Sequence, residues 1–150
     1  MRQLQRFYET TSAIIAETLR IHPIYPYLKC VANEDYETTT PGLIINSGTK
    51  LFIPIKAMQN DPEIYAEPTK FIPERFAVEN LHQRQLLAWL PFGEGPRNCI
   101  GMRFSHFLIR ISLFSLLSKN KFTPTSRTPI PLAYEETSLV LRPQGVYACR

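Results

Sequence analysis

A lone cysteine sits in the most chemically distinctive stretch of this chain, where residues 92–101 read Phe-Gly-Glu-Gly-Pro-Arg-Asn-Cys-Ile-Gly. Cys99 stands at the mouth of a predicted helix with Arg97 two positions before it, and a thiol at a helix N-terminus beside an arginine is biased toward the thiolate. Gly93, Gly95 and Gly101 leave backbone N–H groups open and let a bulky flat ligand approach. The pattern suits a sulfur anion that ligates a metal. Three blander readings compete. A single cysteine in an intracellular chain is commonly a small buried apolar residue. A glycine-rich loop before a helix can cradle phosphate, but that loop ends in lysine followed by serine or threonine, and this one offers Asn98, Cys99 and Ile100. A structural zinc site drawn from Cys30, Cys99, Cys149, His22, His82 and His106 lacks any paired short spacing. The thiolate ligand leads.

Two motifs upstream strengthen it. Glu17-Thr18-Leu19-Arg20 places a carboxylate and a guanidinium three residues apart on one helix face, and Pro73-Glu74-Arg75-Phe76 supplies a second arginine. Alone, Glu-x-x-Arg occurs on any solvated helix and is worth only about 0.2–0.5 kcal/mol. In order, the three motifs are specific. The chain resembles a cytochrome P450, whose haem loop reads Phe-x-x-Gly-x-Arg-x-Cys-x-Gly, met here by Phe92, Gly95, Arg97, Cys99 and Gly101.

The resemblance implies a mainly α fold with small β-sheets: the carboxy-terminal part of the P450 fold, with residues 1–150 as one portion and no separate second domain. It implies Cys99 as the thiolate ligand of a haem iron, with Phe92, Gly93, Arg97, Ile100 and Gly101 around the cofactor. It also implies that Glu17, Arg20 and Arg75 form a structural salt-bridge triad, arginine forks being able to engage both oxygens of a carboxylate. The family's activity is monooxygenation of apolar small molecules, with electrons from an NADPH-dependent flavoprotein reductase. The loop from Pro91 to Phe104 looks most like microsomal, insect-type detoxification members, which implies the cytoplasmic face of the endoplasmic reticulum membrane for the full-length family member only, with no anchor expected in these residues. No catalytic residue of the oxygen-activating helix is expected within these residues. The chain is therefore expected to be a fragment that is inactive alone, the alternative to a working monooxygenase being a truncated haem-binding remnant without turnover.

Two positions depart from the family pattern. Counted from Pro23, the place of an arginine that binds a haem propionate holds Cys30, which cannot supply that charge-assisted bond, worth roughly 1.5–3 kcal/mol; the neighbouring Lys29 is a partial substitute. Gln59 stands where many relatives carry histidine.

The elements that must position these residues follow from periodicity and punctuation. Apolar spacing from Leu4 through Phe7, Tyr8, Ile15 and Leu19 predicts a helix that Pro23 ends. Residues 24–31 and 50–55 read as strands, with turns at Pro41-Gly42 and at Asn46-Ser47-Gly48, and Tyr25 or Leu28 could face a ligand. Prolines at 62, 68, 73 and 91 make 61–92 an irregular stretch, anchored by burial of Tyr65, Phe71 and Phe76. A second helix is expected from about 99 to 119, with Phe104, Phe107, Ile111 and Phe114 on one stripe and further apolar residues around it. Such a helix is normally buried, and exposure of its surface favours aggregation. The tail from Phe122 reads as short extended pieces, which family members fold into a hairpin with a substrate-touching tip near Thr137 to Val140.

Composition sets wider limits. The chain has 150 residues, a net charge of +4 and three cysteines, too few and too scattered for a disulfide framework. Its basic residues form no dense run, which argues against a nucleic-acid partner. No targeting segment is expected near Met1, since Arg2, Gln3, Gln5 and Arg6 interrupt any apolar run. The longest apolar stretch, 104–117, is too short to span a bilayer.

Overall fold

The computed structural model describes residues 2–83, 86–126, 128–135 and 139–144. Helix α1, Arg2–Ile21, opens the chain. Its buried face carries Thr11, Ala13, Ile15, Ala16 and Leu19, together with Glu17 and Arg20. The helix stops one residue before His22 and Pro23 because a residue preceding proline is steered out of helical geometry.

Two small antiparallel sheets follow. Strand β1, Leu28–Val31, is shorter than the expected 24–31 because Pro23 and Pro26 provide no N–H for a ladder. It pairs with β4, Lys50–Ile53, in the register Leu28 to Ile53 and Val31 to Lys50. Between them a hairpin of β2, Tyr36–Glu37, and β3, Ile44–Ile45, closes through the turn at Gly42, whose φ of +78° is open to glycine. Strand β4 ends at Ile53, before Pro54. From Ile55 the chain turns into a short helix α2, Ile55–Gln59, that the sequence pattern does not announce.

The proline-rich stretch folds into 3₁₀ turns at Pro73–Phe76, Val78–Gln83 and Leu86–Ala88. The first packs against α1, where Phe76 joins Ala13, Ala16 and Trp89 in an apolar cluster. Tyr65 and Phe76 are buried as expected, whereas Phe71 is half exposed. It precedes the turn whose Phe76 reaches the cluster, so that turn is anchored without it.

Helix α3, Met102–Leu117, leans on α1 through a T-shaped contact of Phe7 with Phe114 at 5.9 Å. Arg110 adds a 2.9 Å bond to Ser12 Oγ and lies 4.2 Å from the centre of the Tyr8 ring. None of its residues is buried, and Phe104, Phe107, Ile111 and Phe114 are all exposed. The contacts of α3 with α1 and with Phe92, among the described residues, leave the apolar surface that predicted burial exposed. Among the described residues no helix is long and apolar enough to cross a membrane.

The tail returns to the start of the sheet region. Leu141 N–H donates to Ile24 O at 2.8 Å, and Tyr134 bridges to Pro143. Thr137 and Ser138 of the expected hairpin tip, and Cys149, lie outside the described residues. His22 Nδ1 is hydrogen-bonded to the Tyr134 hydroxyl, and Lys56 Nζ sits 4.6 Å from the centre of that ring. Burial above all, then the charges of Lys56 and Arg20, hold the His22 pKa below its ordinary value.

The unfolded chain therefore takes up this proton more readily than the folded one, and stability falls as the pH drops through about 6.5. The thermal midpoint should fall further on going from about pH 7.5 to about 5.5 in the native chain than in His22→Gln, which keeps a partner for Tyr134 without titrating. Equal falls would show that His22 does not carry this sensitivity.

Candidate functional site

The charged centre of the structure is the pair formed by Glu17 and Arg20, both at 0% exposure. Arg20 Nε donates to Glu17 Oε2 at 2.8 Å and Nη2 to Oε1 at 2.9 Å, a two-pronged bond of the kind a guanidinium fork makes with a carboxylate. The rest of the guanidinium ties down distant backbone: Nη1 donates to Gln59 O at 2.7 Å, and Nη2 reaches Pro68 O at 2.8 Å and Lys70 O at 3.3 Å. Glu17 Oε1 also accepts from Ile72 N–H at 2.9 Å. Tyr65 lies beneath the guanidinium, 5.0 Å from ring centre to Cζ.

Arg75 completes the triad in a weaker way. Its Nε stands 3.5 Å from Glu17 Oε1, outside hydrogen-bonding geometry, while its Nη2 donates to Glu67 O at 3.0 Å. The three expected residues do meet, but the fork belongs to Arg20, and Arg75 contributes proximity of charge.

The cysteine loop is held by its own backbone. Gly93 N–H donates to Leu90 O at 3.1 Å, Asn98 N–H to Gly95 O at 3.1 Å, and Cys99 N–H to Phe92 O at 2.8 Å. Gly93 and Gly95 have φ of +72° and +86°, a conformation costly for a side-chain-bearing residue. At Gly93 space is not the constraint, since an added Cβ would meet Asn98 Cα at 3.9 Å and Leu28 Cδ1 at 4.0 Å. Gly101 has an ordinary φ of −84° and acts differently: it is the N-cap of α3, and a Cβ there would stand 3.8 Å from Cys99 Sγ. Arg97, Cys99 and Ile100 are exposed, Ile100 completely so. A free thiol on an open, glycine-bounded loop with an apolar neighbour fits a large flat apolar group ligated through sulfur. Among the described residues no three His, Cys, Asp or Glu side chains are grouped to hold a metal ion; Cys149 of the zinc reading lies outside them.

Three residues to which sequence reasoning gave no part in holding this loop frame it. His106 packs against Phe92 with ring centres 5.2 Å apart and planes tilted by 44°; burial and then the charge of Arg110 hold its pKa below the ordinary value. Trp89 Nε1 donates to Ala16 O at 3.1 Å. Gln59, noted only as a departure from the family pattern, is 1% exposed and bonded to both α1 and Leu90. Of these, the chain's single tryptophan was the one signal available in the sequence.

Strand alternation settles the place of Lys29. Leu28 and Cys30 share one face, the one from which Leu28 approaches Gly93. Lys29 lies opposite Phe52 on the other face, where Tyr27 meets Phe52 at 5.6 Å. Lys29 is thus turned away from the loop and is no substitute for an arginine at position 30.

Comparison with known proteins agrees with the geometry. The family model described as Cytochrome P450 matches residues 6–150. The chain is 42% identical over 135 residues to probable cytochrome P450 6a14 of Drosophila melanogaster, covering 89% of this chain and 26% of that protein. It is 44% identical over 136 residues to cytochrome P450 6a8 of the same fly, covering 89% and 27%. With cytochrome P450 6k1 of Blattella germanica it shares 41% over 128 residues, covering 85% and 24%. This chain belongs to the cytochrome P450 family, and its relatives here are insect members. The family is one of haem-dependent monooxygenases that act on small molecules with a redox partner. The chain spans about a quarter of the length of these curated relatives.

Removing the negative charge of the buried pair should be severe. Glu17→Gln leaves Arg20 buried without its counter-charge and should lower unfolding free energy by about 3–5 kcal/mol in urea titrations. Arg75→Ala should cost about 1.5 kcal/mol, because Glu17 keeps both bonds to Arg20. Equal losses in the two variants would contradict this division of roles.

Proposed function

We propose that residues 1–150 form the single carboxy-terminal, haem-thiolate portion of a P450 monooxygenase that oxidises apolar small molecules. The observation that carries this reading is the exposed Cys99 on a loop whose backbone is fixed by its own hydrogen bonds and by left-handed glycines. Cys99 Sγ would hold the iron. Phe92, oriented by His106, would pack beside the ring, and Gly93, Ile100 and Gly101 would leave room for it. Arg97 would place a cation for a propionate. When bound, the haem supplies dioxygen activation and insertion of one oxygen atom into substrate. Arg97 and Arg103 give this side of the chain the basic character that an NADPH-dependent flavoprotein reductase would meet. Association of the full-length protein with the cytoplasmic face of the endoplasmic reticulum membrane belongs to the same reading, through the likeness of the loop to microsomal members.

The alternative reading is a haem-binding remnant without turnover. Product formed from an apolar substrate in the presence of reductase would exclude it.

Reconstituted with haem, reduced and exposed to carbon monoxide, the chain should give the Soret band diagnostic of cysteinate ligation, and Cys99→Ala should lose it; an unchanged band in the variant would refute the ligand. Cys30→Arg should slow haem release about tenfold or more, the value of one charge-assisted hydrogen bond. An unchanged release rate would place position 30 outside the cofactor's reach.

A further inference from the structure

Gln59 joins the two halves of the site. Its Nε2 donates to Leu19 O and Arg20 O, each at 3.1 Å, while its Oε1 accepts from Leu90 N–H at 2.9 Å. Its own carbonyl receives Arg20 Nη1 at 2.7 Å. Every polar atom of this amide is used, and only one orientation works: turned over, its oxygen would face two carbonyl oxygens and its NH₂ would face an N–H. The two carbonyls belong to the last turn of α1, where helix geometry leaves them without intrahelical partners.

The third bond points to the cysteine loop. Leu90 O accepts from Gly93 N–H, and Phe92 O in turn accepts from Cys99 N–H. A continuous hydrogen-bonded path thus runs from Glu17 and Arg20 through Gln59 to Leu90, Gly93, Phe92 and Cys99. We propose that Gln59 is a positioning residue that fixes the start of the Cys99 loop relative to the buried ion pair at the end of α1. The proposal deepens the haem-thiolate reading by naming what sets the height of the sulfur-bearing loop, but the clasp itself needs no cofactor.

The side-chain chemistry gives a switchable variant. In Gln59→Glu the ionised carboxylate faces the Leu19 and Arg20 carbonyls with no proton to donate, whereas the protonated acid donates one bond and still accepts from Leu90. The Leu19 and Arg20 carbonyls bond only the neutral form of a carboxyl so placed and push its pKa upward, against the Arg20 guanidinium, whose charge Glu17 already offsets. Loop order in this variant should therefore be present at low pH and lost as the pH rises.

Amide hydrogen exchange on the 150-residue chain reads this directly, after correction for intrinsic rates. Gln59→Leu should lose protection at Leu90 and Gly93 by roughly tenfold, one hydrogen bond's worth, while the β1–β4 amides keep theirs. In Gln59→Glu the same two amides should be protected near pH 4, below the ordinary glutamate pKa of about 4.3, and lose protection as the pH rises through the raised value. The proposal is overturned by native protection at Leu90 and Gly93 in a folded Gln59→Leu chain, or by a loss spread equally over the β1–β4 sheet. Should Gln59→Leu fail to fold, protection in Gln59→Glu that does not depend on pH overturns it. Because exchange is read without haem, failure of the Soret test would remove the functional reading and leave this result standing.

Discussion

The arrangement depends on one ion pair placed where water cannot reach it. Two charges without solvent exposure are expensive unless their remaining lone pairs and protons are satisfied. The structure meets that demand by supplying backbone: the carbonyls of Gln59, Pro68 and Lys70 surround Arg20, and the Ile72 amide serves Glu17. The need to solvate this pair internally draws a proline-rich, mostly aperiodic stretch onto α1. The interior of a helix or strand could not do so, since its carbonyls are committed to its own ladder; Gln59 can because it ends α2, where carbonyls lack intrahelical partners. The prolines suit the role, since a residue without an N–H still offers a carbonyl.

From that centre the order passes outward in steps of decreasing burial. Trp89 reaches Ala16, Gln59 reaches Leu90, and the chain then leaves the core at Pro91 to form a loop whose internal bonds and left-handed glycines fix its shape. Cys99 ends up exposed on a loop held by its own backbone bonds, an arrangement that suits the ligand role proposed for it. The apolar face of α3 stands open beside it.

Much of this was legible in the sequence because it is local. The 3.6-residue spacing of α1, the Pro23 stop, the Glu17–Arg20 face and the glycine-bounded cysteine loop each require only neighbours in the chain. The meeting of Arg75 with Glu17 came from the family pattern; in the structure Arg75 Nε stands 3.5 Å from Glu17 Oε1, and the fork on that carboxylate belongs to Arg20. What stayed hidden is non-local. Helix α2 is too short for periodicity to reveal, and nothing in residues 55–59 says that Gln59 will be sealed between a helix end and a loop. The His22–Tyr134 bond and the packing of His106 on Phe92 likewise join residues whose types suggest several roles. Lys29 was misplaced for a simpler reason, the two-residue period of a strand, which puts neighbours on opposite faces.

The account is tested most directly by hydrogen exchange in Arg20→Lys. Lysine keeps the charge but loses the planar fork, so it cannot hold Glu17 and the surrounding carbonyls together. The account predicts that the Ile72 and Cys99 amides, far apart in sequence, lose protection together while the β1–β4 sheet keeps its own. Protection at Cys99 that survives the substitution would mean that the loop is ordered independently of the buried pair.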